Sequence, residues 1–351
     1  MDMRKTISLM ASEIWEQPGA IERTLTRLTA QCDEILGLRD KHFRAVMFIA
    51  RGTSDHVADY GQYIFPIAAG LLATSSSPSL AVAYHAQLSL DGVLAIAISQ
   101  SGSTEEIIET AHWARSLGAT TVGITNMAGS ALAAEVDLAL VTQAGTELAV
   151  PATKTYTSAL ATVAFLAATL GGDQKLLNAL SESPALVQSV LEANWDLEGA
   201  AKLFDDASTA VIAGRGFSGG VAREIALKLK ETSAINAIGL SVADLAHGPI
   251  AALLPELPVV CVSPGRASPV AAGIREMARH AQLTGCRLVS IGDDDELSTF
   301  SKVHCAIPPM REEIAPLALI VPGQLLAERV AQRHGKNPDM PIGLHKVTQT
   351  M

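Results

Sequence analysis

Val93-Leu-Ala-Ile-Ala-Ile98-Ser99-Gln100-Ser101-Gly102-Ser103-Thr104-Glu105-Glu-Ile-Ile-Glu-Thr-Ala-His-Trp113 reads as three elements in a row. Val93–Ile98 is an unbroken apolar run with no polar alternation, as expected of a strand covered on both faces. Ser99–Thr104 is a polar turn, and Glu105 opens a helical pattern. Strand, polar turn and helix in that order are the unit of a parallel sheet with crossover helices.

The same grammar recurs on either side. Val46–Ala50 enters Arg51-Gly-Thr-Ser54, and Thr120–Ile124 is a third apolar run. In the second half, Ala210–Ala213 enters Gly214-Arg-Gly-Phe-Ser218, and Val259–Val262 enters Ser263-Pro-Gly-Arg-Ala-Ser268. Arg287–Ile291 echoes Thr120–Ile124 at the same offset of about 165 residues, which marks a duplicated domain. The predicted fold is α/β, with two tandem domains, each a parallel sheet flanked by helices on both faces. Ligands of such sheets bind beyond the carboxyl ends of the strands, where the strand order reverses. The expected divisions are an N-terminal helical segment (1–35), a first domain (36–172), connecting helices (173–200), a second domain (201–335) and a C-terminal tail (336–351).

Composition narrows the function classes. Charged residues make up 18% of the 351, hydrophobic residues 48% and aromatics 4%, a profile of Ala- and Leu-rich packed sheets and not of disorder. The formal net charge of −10 argues against nucleic-acid or anionic-membrane binding. No apolar run approaches a membrane span, and no signal core follows Met1-Asp2-Met3-Arg4-Lys5. Cys32, Cys261, Cys286 and Cys305 form no C-x-x-C pair and read as reduced thiols of a cytoplasmic protein. The nine histidines show no ligand spacing, so no metal is expected.

Two stretches carry chemistry. Ser99-Gln100-Ser101-Gly102-Ser103-Thr104 puts four hydroxyls and a glycine at a helix start, where backbone N–H groups and the helix dipole favour an anion. This is a phosphate cradle of neutral donors. It has neither GxxxxGK[ST] nor GxGxxG, so no nucleotide cofactor is indicated. The plainer reading is a hydroxyl capping the helix. Thr53 and Ser54, at the neighbouring strand end, are candidates for the same pocket or for an ordinary turn. Further on, Glu224, Lys228 and Glu231 fall at i, i+4 and i+7 beside the apolar arc Val221, Ile225 and Leu229. That stripe is either a surface ion pair or a carboxylate held by a cation for proton transfer.

These residues resemble a known family. Ser99-Gln-Ser-Gly-Ser-Thr104 with Gly52-Thr-Ser54 is similar to the phosphosugar-binding signature of sugar isomerase (SIS) domains. Over nearly the whole chain the resemblance extends to the isomerase half of glucosamine-6-phosphate synthase and to stand-alone glucosamine-6-phosphate deaminases. The stretches Met10–Pro18, Gly145-Thr-Glu147 with Thr153-Lys154, Ala226–Glu231, His247-Gly-Pro249, Ile314-Ala-Pro316 and Leu344-x-Lys346 match in order and spacing.

The resemblance implies roles. Ser99, Gln100, Ser101 and Thr104 would hold the 6-phosphate, with Thr53, Ser54 and Val150 also contacting substrate. Glu231 would shuttle the proton between C1 and C2, with Glu224 and Lys228 orienting it and the substrate. His247 would open the pyranose ring, supplied across the interface of a homodimer. Lys346 would form an imine with the keto sugar. Taken alone, His247 before Gly-Pro could be a turn residue and Lys346 a solvated charge. No cofactor is implied.

Departures from the family pattern bear on the substrate. Residue 2 is Asp and the first cysteine is Cys32, so no glutaminase is expected and glutamine is not the expected ammonia donor. Ala246 stands where the family has lysine, Ala152 where it has serine and Ser103 where it has glutamate. The expected function is an aldose–ketose isomerase of amino-sugar phosphates running as a deaminase: glucosamine 6-phosphate and water to fructose 6-phosphate and ammonia. Two alternatives stand beside it. One is a deglycase of fructosamine-type sugar-phosphate adducts, the other a sugar-phosphate sensor without catalysis.

Overall fold

The computed structural model describes residues 7–346. Strands β1 (Ala45–Ile49), β2 (Leu72–Ser75), β3 (Val93–Ile98), β4 (Thr120–Thr125) and β5 (Leu138–Val141) form one sheet in the order β2-β1-β3-β4-β5. Strands β6 (Thr209–Gly214), β7 (Asn236–Ser241), β8 (Pro258–Val262), β9 (Arg287–Gly292) and β10 (Val303–Ala306) form a second in the order β7-β6-β8-β9-β10. Every neighbouring pair is parallel. The second sheet repeats the first strand for strand.

In chain order the helices are α1 (Leu9–Trp15), α2 (Gln17–Ala30), α3 (Cys32–Gly37), α4 (Thr53–Ala69), α5 (Ser79–Val82), α6 (Glu105–Ser116), α7 (Ala131–Glu135) and α8 (Lys154–Gly171). There follow α9 (Gln174–Leu191), α10 (Leu197–Lys202), α11 (Phe217–Ser233), α12 (Val242–Ala246), α13 (Ala271–Leu283), α14 (Asp295–Phe300) and α15 (Ala315–Arg333). None is long and apolar enough to cross a membrane.

The chain folds as two compact units. Residues 17–147 and 154–184 make the first-sheet unit. The second-sheet unit gathers residues 7–16, 148–153 and 185–346.

In the first-sheet unit, alternate residues of β3 explain the two covered faces. Val93, Ala95 and Ala97 pack with Ile107, Ala111 and Ala114 of α6. Leu94, Ile96 and Ile98 are just as buried and point the other way. On β1, Phe48 meets Phe65 of α4 edge to face at 5.8 Å. Gly61 makes that approach possible, since a Cβ there would lie 2.2 Å from the Phe48 ring. Each fully buried Leu or Ile contributes about 1.5–3 kcal/mol.

In the second-sheet unit, Val259 and Cys261 of β8 pack with Ile274, Met277 and Ala278 of α13. Helices α11 and α15 pack together elsewhere in the unit. Their contact is close: a Cβ on Gly323 would lie 2.3 Å from Ile225. Cys261, Cys286 and Cys305 are buried free thiols in this unit, and Cys32, in the other, is partly exposed.

Candidate active site

In the first sheet the strand order reverses at β1. The chain steps to β2 on one side and to β3, β4 and β5 on the other. The turns leaving β1 and β3 flank that reversal, where open parallel sheets bind ligands.

The turn after β3 is built from its own hydroxyls. Ser99 is buried, and its Oγ accepts the Gly102 N–H at 3.2 Å and lies 3.3 Å from Thr104 Oγ1. Ser103 donates to Ser101 Oγ at 2.9 Å. The Gln100 carbonyl accepts the Asn126 N–H at 3.0 Å, tying the turn to the end of β4. Gly102 sits at φ +61°, and a Cβ there would come within 2.2 Å of Ser130 Oγ. Thr104 is the residue before α6 but makes no side-chain capping bond; its hydroxyl turns to Ser99 instead. The plain capping reading of this turn therefore fails for Thr104.

At the turn after β1, Thr53 and Ser54 are half-buried at the start of α4. Arg51 grips Glu106 of α6 with two hydrogen bonds of 3.1 and 2.8 Å, joining the two turns. Gly52, at φ 57°, has open space where a side chain would be: a Cβ would meet nothing within 4 Å.

In the second-sheet unit, α11 brings Glu224, Lys228 and Glu231 together. The Lys228 ammonium lies 3.2 Å from Glu224 and 2.7 Å from Glu231. Glu224 and Lys228 have no solvent exposure, while the Glu231 side chain keeps 21%. A surface ion pair is thereby excluded. Burial disfavours the Lys228 ammonium, but the charges and hydrogen bonds of the two carboxylates outweigh it and hold the pKa well above the usual lysine value. Lys228 stays charged, and of these two carboxylates Glu231 is the one that keeps solvent exposure.

Val150 and Lys346 meet a single segment. Lys346 Nζ donates to the Ala149 carbonyl at 2.7 Å, so its amine is docked and not merely solvated. The Val150 N–H donates to the Asp339 carbonyl at 2.9 Å. His247 follows α12 on an exposed run and is joined to none of the other candidates by a hydrogen bond or ion pair. The tail beyond Lys346 lies outside the described residues.

Three supporting residues escaped the sequence reading. Glu13 of α1 is buried and accepts the N–H groups of Leu148 and Ala149. The Asp339 carboxylate accepts the N–H groups of Leu9 and Met10 at 3.0 and 2.8 Å. Glu106 is the third. Their partners are backbone groups or residues remote in sequence, so no local spacing marks them.

The comparisons with known proteins agree with this architecture. A family profile described as SIS domain matches residues 38–169 and 203–331. Glutamine–fructose-6-phosphate aminotransferase (isomerizing) of Pyrococcus horikoshii is 34% identical over 345 residues, covering 96% of this chain and 57% of that protein. Its counterpart in Thermococcus kodakarensis is 35% identical with the same coverage. The chain thus spans a little over half the length of these relatives. The C-terminal domain of glucosamine-fructose-6-phosphate aminotransferase from Francisella tularensis superposes with a TM-score of 0.88 at 26% identity, over 97% of this chain and all of that one. Glucosamine-6-phosphate deaminase from Thermotoga maritima shares the fold, with a TM-score of 0.77 at 21% identity over 98% of this chain and 100% of that one. Two sheets of one topology, each with a matched segment, make this chain a member of the SIS-domain family, built from two copies of that domain.

Proposed function

We propose that the chain is an aldose–ketose isomerase of phosphorylated amino sugars that runs as a deaminase, turning glucosamine 6-phosphate and water into fructose 6-phosphate and ammonia. The observation that carries this reading is the α11 trio: a buried ammonium between two carboxylates, one of which reaches solvent. Moving hydrogen between adjacent carbons needs one base that accepts a proton and returns it, and a carboxylate positioned by a neighbouring cation suits that work.

In this reading the hydroxyls and amides of Ser99–Thr104 hold the phosphate, with Thr53 and Ser54 beside them. His247, supplied by the second subunit of a homodimer, opens the pyranose ring. Glu231 takes the proton from C2 and delivers it to C1, leaving an imine at C2. Water adds to that carbon and ammonia leaves, either directly or after exchange onto the Lys346 amine. Lys228 holds Glu231 in place, and Glu224 balances the buried charge.

The test is ammonia release from glucosamine 6-phosphate by the pure protein. Turnover is expected, and Glu231→Gln is expected to lower it about 10²–10⁴-fold. Release no greater than that of the Glu231→Gln protein rejects the deaminase. Ala152 and Ala246, both small, favour a roomier substrate as the second reading; turnover of fructosamine phosphates in place of glucosamine 6-phosphate would establish the deglycase. Ligand binding unchanged by Glu231→Gln, with no turnover of either substrate, would mark a sensor.

A further inference from the structure

We propose that the second sheet carries an anion cradle at the place equivalent to the first, held shut by the chain's own Glu312 carboxylate. The strand order of the second sheet also reverses, at β6, so the turns leaving β6 and β8 flank a second crevice of the kind that binds ligands. Arg215-Gly216-Phe217-Ser218 leaves β6 just as Arg51-Gly52-Thr53-Ser54 leaves β1. The two glycines share one backbone conformation, φ 60° and ψ −131° at Gly216 against φ 57° and ψ −131° at Gly52. After β8, Ser263 and Ser268 stand as far past the strand end as Ser99 and Thr104 do after β3, although α13 opens two residues later than α6 does. Ser263 has no solvent exposure, and its Oγ has no hydrogen-bond partner among the described residues.

The two crevices differ in what fills them. A Cβ on Gly52 would meet nothing within 4 Å. At Gly216 the same Cβ would lie 3.7 Å from Glu312 Oε1 and 3.6 Å from Val270. Ser268 Oγ donates to that same carboxylate oxygen at 2.9 Å and accepts the Val270 N–H at 3.2 Å. Burial pushes the Glu312 carboxyl above its usual range, and the Ser268 hydrogen bond opposes that push. A carboxylate and a phosphate both accept from a serine hydroxyl, and Glu312 takes that of Ser268. Glu312 therefore occupies, from within the chain, the position an external oxyanion would take. The ligand class excluded by it is inorganic phosphate or the phosphate of a small monoester. On this account Glu312 determines that a duplicated chain binds one such anion and not two.

The comparison rests on reading the Ser99–Thr104 turn as an oxyanion site, and the experiment separates the two ideas. Bound inorganic phosphate is counted by equilibrium dialysis on four full-length proteins: the parent, Ser101→Ala/Thr104→Ala, Glu312→Ala, and the combination. The expected counts are one, none, two and one. A folded combined variant that binds no phosphate overturns the proposal. So does a bound phosphate on the Ser101→Ala/Thr104→Ala protein with Glu312 intact. A parent that binds none overturns the reading of the first cradle, and the gain on Glu312→Ala still decides the second. Should Glu312→Ala not fold, Glu312→Ser, which also removes the carboxylate, is expected to give the same gain; a folded Glu312→Ser protein without it counts against the proposal.

Discussion

Lys228 carries its charge where no water reaches, and two carboxylates keep it there. Removing one member of such a group leaves an uncompensated buried charge, at a cost of about 3–5 kcal/mol. Lys228→Met is therefore expected to lower the urea midpoint sharply, since it strands Glu224 in the interior. The pH dependence has a definite sign. The folded pKa of Lys228 lies above the ordinary 10.5, so its contribution is complete below that pH and is lost as pH rises through the folded value. Unfolding curves carried above pH 10.5 should show a decline in the parent that Lys228→Met lacks; parallel curves would reject this role. At this scale the sequence was legible where partners lie on one helix. The i, i+4, i+7 spacing of Glu224, Lys228 and Glu231 announced their meeting. Glu13 and Asp339 gave no such sign, because they serve backbone amides 135 and 330 residues away.

Among elements, the difference between central and edge strands explains what could be read. All six strands marked by apolar runs, β1, β3, β4, β6, β8 and β9, lie inside the sheets and within a residue of their expected bounds. The four unread strands, β2, β5, β7 and β10, are the sheet edges. Edge strands bury fewer residues: β2 has one buried residue in four and β10 likewise, so no apolar run forms. The turn after β3 belongs to the same scale. Gly102→Ala must adopt a positive φ and clash with Ser130, and the backbone strain alone is worth about 1–3 kcal/mol. A lower melting temperature and weaker phosphate binding are expected together. A stable variant with unchanged phosphate affinity would show that the turn needs no glycine.

For the whole molecule, the constant offset between halves gave the duplication, because each copy keeps the same lengths of strand, turn and helix. The assignment of residues 148–153 to the second-sheet unit had no local signature, since it depends on Glu13, Asp339 and Gln324, which reach that segment from distant parts of the chain. The cysteines follow the same division. Cys261, Cys286 and Cys305 all lie in the second-sheet unit, with thiol pKa values raised by burial, that of Cys305 to about 12. Cys32 is in the first. Nature has thus installed a reporter in one copy of the repeat: alkylation followed by mass spectrometry through a denaturant series should modify Cys32 first and the other three as a group. If that group reacts before the far-ultraviolet dichroism is lost, the copies melt in sequence; simultaneous reaction makes the pair a single cooperative body.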